Sequence, residues 1–189
     1  MAETISTKKD NKAITNPKPN QGLTIHYWNS INYFVGLIKS SELKAGLILS
    51  FYGILFNFLY QNMERSVVYF SQNTFMYVPL VLWFCCSLIS IYFSIRSFIP
   101  RIENKYDDNI FFFGDVITKF GTIEDFSETF YNTSTNGRMR YDQLGQQIYI
   151  NAKIADKKFK NVSRSFKSMA LGLFFLLTVV MFYFIMVLF

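Results

Sequence analysis

The side chains that most often carry chemistry are few in this sequence, and their spacing fits no common catalytic or metal site. His26 is the only histidine. It falls in an amphipathic stretch where it reads as an interface residue, which argues against a histidine-dependent triad and a multi-histidine metal site. Cys85 and Cys86 are adjacent inside an apolar run, so they form neither a disulfide framework nor a spaced thiol pair for zinc. The carboxylates Asp107 and Asp108 lack metal-site spacing. Glu124, Asp125 and Glu128 lack it too, and fit a helix N-terminus, which favours negative charge. No phosphate-binding glycine loop, dinucleotide fingerprint or nucleophile elbow occurs. The expectation is a protein that is not an enzyme, with no metal and no cofactor.

The charges that do have a pattern are basic. Lys153, Lys157, Lys160, Arg164 and Lys167 recur at spacings of 4, 3, 4 and 3, one face of a helix. Two readings stay open: an anchor to anionic lipid headgroups beside a membrane, or a face of which part meets a phosphate.

The elements that must position this stripe follow from composition. The chain has 189 residues, 51% apolar and 19% aromatic against 17% charged, more aromatic surface than one soluble core of this length holds. Residues 45–63, 66–95 and 168–189 contain no Asp, Glu, Lys or Arg. Each run is long enough to cross a bilayer as a helix, which takes about 20 residues. The net charge of +6 therefore reads as membrane topology, and no nucleic acid polymer is expected as a partner.

Along the chain, residues 1–21 are polar, with lysines, prolines and no apolar periodicity, and read as a disordered tail without a secretory signal. Over residues 22–40, Tyr27, Ile31, Phe34 and Ile38 recur at helical spacing, which predicts an interfacial amphipathic helix. A two-helix membrane hairpin follows over 43–97, with spans near Leu43 to Asn62 and Phe75 to Ser97 and Pro79 in the first turns of the second. A unit of residues 98–167 precedes the third span, 168–189. The loop between the first two spans holds one base, Arg65, whereas residues 96–167 hold twelve. The positive-inside bias then places the N-terminus and the long segment in the cytoplasm. The fold class expected is a mainly α, multi-pass membrane protein with three spans and a small, mostly helical cytoplasmic sensor.

Within that unit, residues 110–113 read as a short strand or buried turn, Thr122 with Asp125 opens a helix, and residues 132–137 (NTSTNG) read as a loop. No proline follows Asp142, so one helix can run from there through the last span. Leu144, Ile148, Ala152, Ala155, Phe159, Val162 and Phe166 form its expected packing seam. In the spans, Gly46, Ser50, Gly53 and Asn57 share one face, as do Ser87, Ser90, Ser94 and Ser97. Small and hydroxyl groups so arranged mark helix contacts in lipid, either inside one chain or between protomers, where they could also line a pore.

The entry to the first span, Ser41-Glu42-Leu43-Lys44-Ala45-Gly46, resembles that of the transmembrane effector family of Pycsar, bacterial antiphage systems that signal through cyclic pyrimidine nucleotides. The likeness continues with Arg96, Pro100-Arg101, Phe112-Phe113-Gly114, and Tyr141, Leu144, Gln147 and Lys158, over roughly residues 40–185. Two positions depart: Glu42 stands for Asp, and Arg101 lacks the Arg-Pro-Arg setting. The resemblance implies a bacterial inner-membrane protein that binds cCMP or cUMP made by a partner pyrimidine cyclase, then impairs the membrane in abortive infection. It is compatible with a homo-oligomer in contact with membrane lipid. Chemistry nominates Arg101, Arg138, Arg140, Lys158 and Arg164 for the phosphate, Phe112, Phe113 and Tyr141 for stacking on the base, and Gln146, Gln147 and Asn151 for its edge. For the phenylalanine pair, core packing is the alternative. For the whole chain, the rivals are a holin-like or accessory membrane protein without a nucleotide, or a small channel subunit.

Overall fold

The computed structural model describes residues 21–62, 77–99 and 108–188. Arg65, Pro100, Arg101 and Asp107, and residues 1–20 of the tail expected over 1–21, lie outside the described residues, whereas Gln21 is helical. Among those described, the chain is helical with no strand: α1 (Gln21–Gln61), α2 (Tyr77–Phe98), α3 (Phe113–Thr118), α4 (Ile123–Thr135) and α5 (Gly137–Leu188). α1, α2 and α5 are long and apolar enough to cross a membrane, with mean hydropathy of 1.5, 2.1 and 2.3 in their most apolar stretches. Large apolar side chains along them stay exposed, among them Leu47, Ile54, Val81, Phe84, Phe174 and Leu177. In water such surface would be unfavourable by about 25 cal/mol per Å², and a bilayer removes that penalty.

α1 is continuous for 41 residues, so the expected division between an amphipathic helix over 22–40 and a span starting at Leu43 is not seen. The reason is an unbroken stripe. Ile31, Ser41, Ala45, Ile48 and Tyr52 are buried and Phe34 and Ile38 half-buried, a row at helical spacing that continues through the boundary. Ser41 does not cap a new helix, since its hydroxyl donates to the Leu37 carbonyl one turn back, at 2.9 Å.

The chain divides into two compact units. The first joins residues 21–28 of α1 to residues 108–147. Its core is aromatic: Phe111 meets Trp28 edge-on at 5.5 Å and Phe130 at 6.0 Å, and Phe126 lies 5.7 Å from both Phe130 and Phe120. Residues 110–111 form a turn rather than a strand. α4 opens with the expected capping box between Thr122 and Asp125. The NTSTNG stretch is a correction: α4 continues to Thr135, and only Asn136 interrupts the helices. Thr133 is buried and the Thr135 hydroxyl donates back to Tyr131. Asn136 Oδ1 then accepts from the Arg138 and Met139 amides, so α5 begins at Gly137, five residues before the start expected at Asp142.

The second unit contains residues 29–62, 77–99 and 148–188. Here α2 presents Ser87, Ser90, Ser94 and Ser97, all fully buried, to α5. The Ser90 hydroxyl donates to the Ser165 carbonyl at 2.9 Å, Ser165 donates to the Ser90 carbonyl at 2.8 Å, and the Ser94 and Ser165 hydroxyls meet at 2.7 Å. Two turns on, Gly172 lets the backbones close, since a Cβ there would sit 3.2 Å from that of Cys86. The serine face thus packs inside one chain. The Gly46, Ser50, Gly53, Asn57 face behaves otherwise: Ser50, Gly53 and Asn57 are exposed.

Candidate functional site

In the first unit, Asn109 is fully buried and fixes the turn before α3. Its Nδ2 donates to the Gln143 carbonyl at 2.8 Å and, more weakly, to Gln146 Oε1 at 3.4 Å, while its Oδ1 accepts from the Phe111 amide at 2.9 Å. Gln143 answers by accepting from the Ile110 amide and donating to the Asp108 carbonyl. Lys119 pairs with Asp108 at 2.7 Å and with Asp115 at 3.4 Å. The hydrogen bond to Asp108 is the main reason its amine is held above the ordinary lysine range. Asn109 and Gln143 are not among the residues the sequence singles out, although an Asn whose side-chain oxygen accepts from the backbone amide two residues on is a recognisable turn signal.

On this frame stand seven of the nominated residues. Phe112 is half-buried and Phe113 is 73% exposed, their rings 5.5 Å apart, so Phe113 is not core. A Cβ at Gly114 would come within 2.9 Å of the Phe112 ring, which accounts for the glycine after the aromatic pair. Arg138 is exposed. Arg140 donates to the Ser134 carbonyl at 3.2 Å and lies 5.0 Å from the Tyr141 ring. Tyr141 in turn packs on Tyr27 at 5.4 Å and reaches the Thr24 hydroxyl at 3.3 Å. The sequence assigns Tyr27 only to the apolar row of an interfacial helix and does not single out Thr24, so neither is expected as a partner of Tyr141.

The inward face of α5 carries unmet polar atoms. Arg140, Leu144, Gln147 and Asn151 follow one another at spacings of 4, 3 and 4. Leu144 is fully buried, and Gln147 and Asn151 are each 8% exposed. Among the described residues, Arg140 Nε, Gln147 Oε1 and Asn151 Nδ2 are buried without a hydrogen-bond partner. Such atoms are rare in folded proteins, and each raises the question of what it bonds.

Asn151 and the remaining described nominees, Lys158 and Arg164, belong to the second unit. Lys158 is 8% exposed, and its Nζ donates to Glu42 Oε1 at 2.7 Å and to the Ser97 carbonyl at 2.6 Å. Ser97 lies in the last turn of α2, where carbonyls lack helical partners and a cation is favourable. One amine therefore ties α1, α2 and α5, and it is committed to protein acceptors rather than presented to a phosphate. Arg164 is exposed, its guanidinium 5.6 Å from the Phe93 ring centroid. On the same stripe Lys160 pairs with Asp156 at 2.7 Å, and Lys167 is exposed. Among the described residues no group of three His, Cys, Asp or Glu could hold a metal ion.

Comparison with known proteins adds the family. No curated protein and no solved structure matches the chain. A family model described as the Pycsar effector protein domain matches residues 26–185, most of the chain, and reaches into all three candidate spanning helices. By that match the chain belongs to the Pycsar effector family, the membrane-helix effectors of an antiphage defence system.

Proposed function

We propose that the protein binds a cyclic pyrimidine nucleotide, cCMP or cUMP, from a partner pyrimidine cyclase and answers by impairing the bacterial cell membrane, so that infection aborts. In this reading the N-terminus and the unit of residues 21–28 and 108–147 face the cytoplasm, where such a nucleotide is made, and the active form is a homo-oligomer. The bias of twelve bases in residues 96–167 against the lone Arg65 supports the orientation.

The observation that carries the ligand reading is the pair of unmet atoms on α5 within that unit. Arg140 offers a cationic donor, Nε, and Gln147 an acceptor, Oε1, both buried. Seven residues apart on a helix, they are separated by about 10 Å, comparable with the distance between the phosphate and the base edge of a cyclic mononucleotide. A charge-assisted contact at one end and an amide at the other is the chemistry such a ligand requires. Tyr141 and Tyr27 supply aromatic faces beside the arginine.

The test is calorimetric titration of the folded, detergent-solubilised protein with cCMP, cUMP, cAMP and cGMP. Saturable binding confined to the pyrimidine nucleotides is expected. Absence of saturable binding to all four would overturn the ligand reading and leave an effector that acts without this signal.

A further inference from the structure

A groove in the second unit, between α1 and α5, has a chemistry the nucleotide reading does not use. It encloses about 480 Å³. Leu47 and Phe51 line one wall, Phe159, Ser163 and Phe166 the other, and Lys44 stands at one end. Phe159 and Phe166 belong to the stripe expected as a packing seam, yet they are 61% and 57% exposed. Their partner is not part of this chain's described structure.

We propose that the groove holds one acyl chain of an anionic phospholipid, with Lys44 against the lipid phosphate. The proposal rests on α1 and α5 crossing the bilayer and is independent of any nucleotide. Three observations favour this occupant. The lining is apolar except for Ser163 and the one terminal cation, the polarity of a lipid lying along a helix pair. From Lys44 to Phe51 the groove runs about 10 Å along α1, and on α5 it runs from Phe159 to Met169, so it opens where both helices enter the hydrocarbon. Lys44 makes no ion pair among the described residues. A second copy of this unit would have little to offer that amine: its described carboxylates are Glu42 and Asp156, and both are already paired, with Lys158 and Lys160. A lipid phosphate supplies the missing charge.

The experiment places the full chain in nanodiscs of equal phosphatidylglycerol and phosphatidylcholine and counts, by native mass spectrometry, the lipids retained on release. Wild type should keep one lipid, with phosphatidylglycerol preferred about fivefold, the weight of one lysine near an anionic surface. Lys44→Gln should reduce that preference several-fold, leaving what the basic stripe of α5 contributes, while a lipid is still retained. Ser163→Trp should fill the groove and reduce retention several-fold, whereas Leu171→Trp, outside the lining, should not. Circular dichroism checks that each variant is helical, and if Ser163→Trp is not, the headgroup preference of Lys44→Gln decides. An unchanged preference in Lys44→Gln overturns the proposal. So does a Ser163→Trp protein that keeps its lipid, or one that loses only self-association, which would make the occupant a second copy. Failure of the nucleotide titrations would leave these results untouched.

Discussion

Lys158 and Glu42, separated by 116 positions in sequence, meet at 2.7 Å where α1 and α5 approach one another, and the same amine caps the last turn of α2 through the Ser97 carbonyl. The lysine side chain is 9% exposed and the glutamate 36%. The two ends of the pair are therefore unequal: loss of Lys158 leaves acceptors on two helices without their donor, while loss of the Glu42 charge leaves an amine still bonded to Ser97.

Lys158→Ala should accordingly lower stability by about 1.5–3 kcal/mol, the range for hydrogen bonds to a charged group, or roughly 4–10 °C in Tm for a chain of this size. Glu42→Gln should cost less than half as much. Thermal unfolding in detergent by circular dichroism measures both. Equal losses would show that the ion pair, and not the helix-end contact, carries the stabilisation.

Two glycines separate packing inside the chain from contacts outside it. At Gly172 an added Cβ would crowd the Cβ of Cys86, at 3.2 Å, whereas at Gly53 it would meet nothing within 4 Å. Gly172→Leu should therefore destabilise the isolated protein by about 1–3 kcal/mol through overpacking. Gly53→Leu should leave its melting unchanged. If the exposed Gly53 face meets another protomer in the active form, Gly53→Leu should abolish toxicity on expression while insertion is retained, as followed by membrane fractionation and growth. Toxicity equal to wild type would confine that face to lipid.

The Thr122 hydroxyl and amide both bond the Asp125 carboxylate, at 2.8 Å and 3.2 Å, and these bonds, the side-chain one first, hold its pKa below the ordinary 3.8. A depressed carboxylate stabilises the folded form above its unfolded pKa and loses that contribution as pH falls through the folded value. The start of α4 should thus be intact at neutral pH and fray only below about pH 3.8. Amide hydrogen exchange at Ile123 to Phe126 in wild type and Asp125→Asn reads this directly. The variant should exchange faster at neutral pH and respond less to acid.

Legibility followed the kind of force at work. Apolar length alone marked the three spans, and four serines at regular spacing on α2 marked its contact face. The seam of α5 was displaced. Leu144, Ala155 and Val162 are buried as expected, but the face continues through Gln147, Asn151, Lys158 and Ser165. Of its polar members, Ser165 and Lys158 are held by Ser90 and Glu42, 75 and 116 residues away, which a hydropathy pattern does not contain. Phe159 and Phe166 fitted the expected seam because an apolar stripe looks the same whether protein or lipid covers it. Composition predicts a loop over the NTSTNG segment, whereas Thr133 and Thr135 find contacts that let a helix continue. Asn136 alone has the two capping bonds that start the next helix.

Within the nominated ligand residues, Arg140 and Gln147 should fail in different ways. A phosphate is common to all cyclic mononucleotides, so a residue that holds it contributes affinity without regard to base. A residue at the base edge contributes a difference between bases, since a donor facing an acceptor becomes an acceptor facing an acceptor when the base changes. Arg140→Ala should therefore weaken binding of cCMP and cUMP alike, by tenfold to a hundredfold, or about 1.5–3 kcal/mol. Arg140 also braces Ser134 and Tyr141, so Arg140→Lys, which keeps a cation without the planar fork, should recover part of the affinity if charge is what matters. Gln147→Glu exchanges an amide for an acceptor-only carboxylate and should change the ratio of the two affinities by more than it changes their mean. Titration of wild type and the three variants with both nucleotides separates these patterns. Parallel losses in every variant would assign both residues to the stability of the unit, and an unchanged affinity in Arg140→Ala would move the phosphate to Arg138, the other described arginine of that unit.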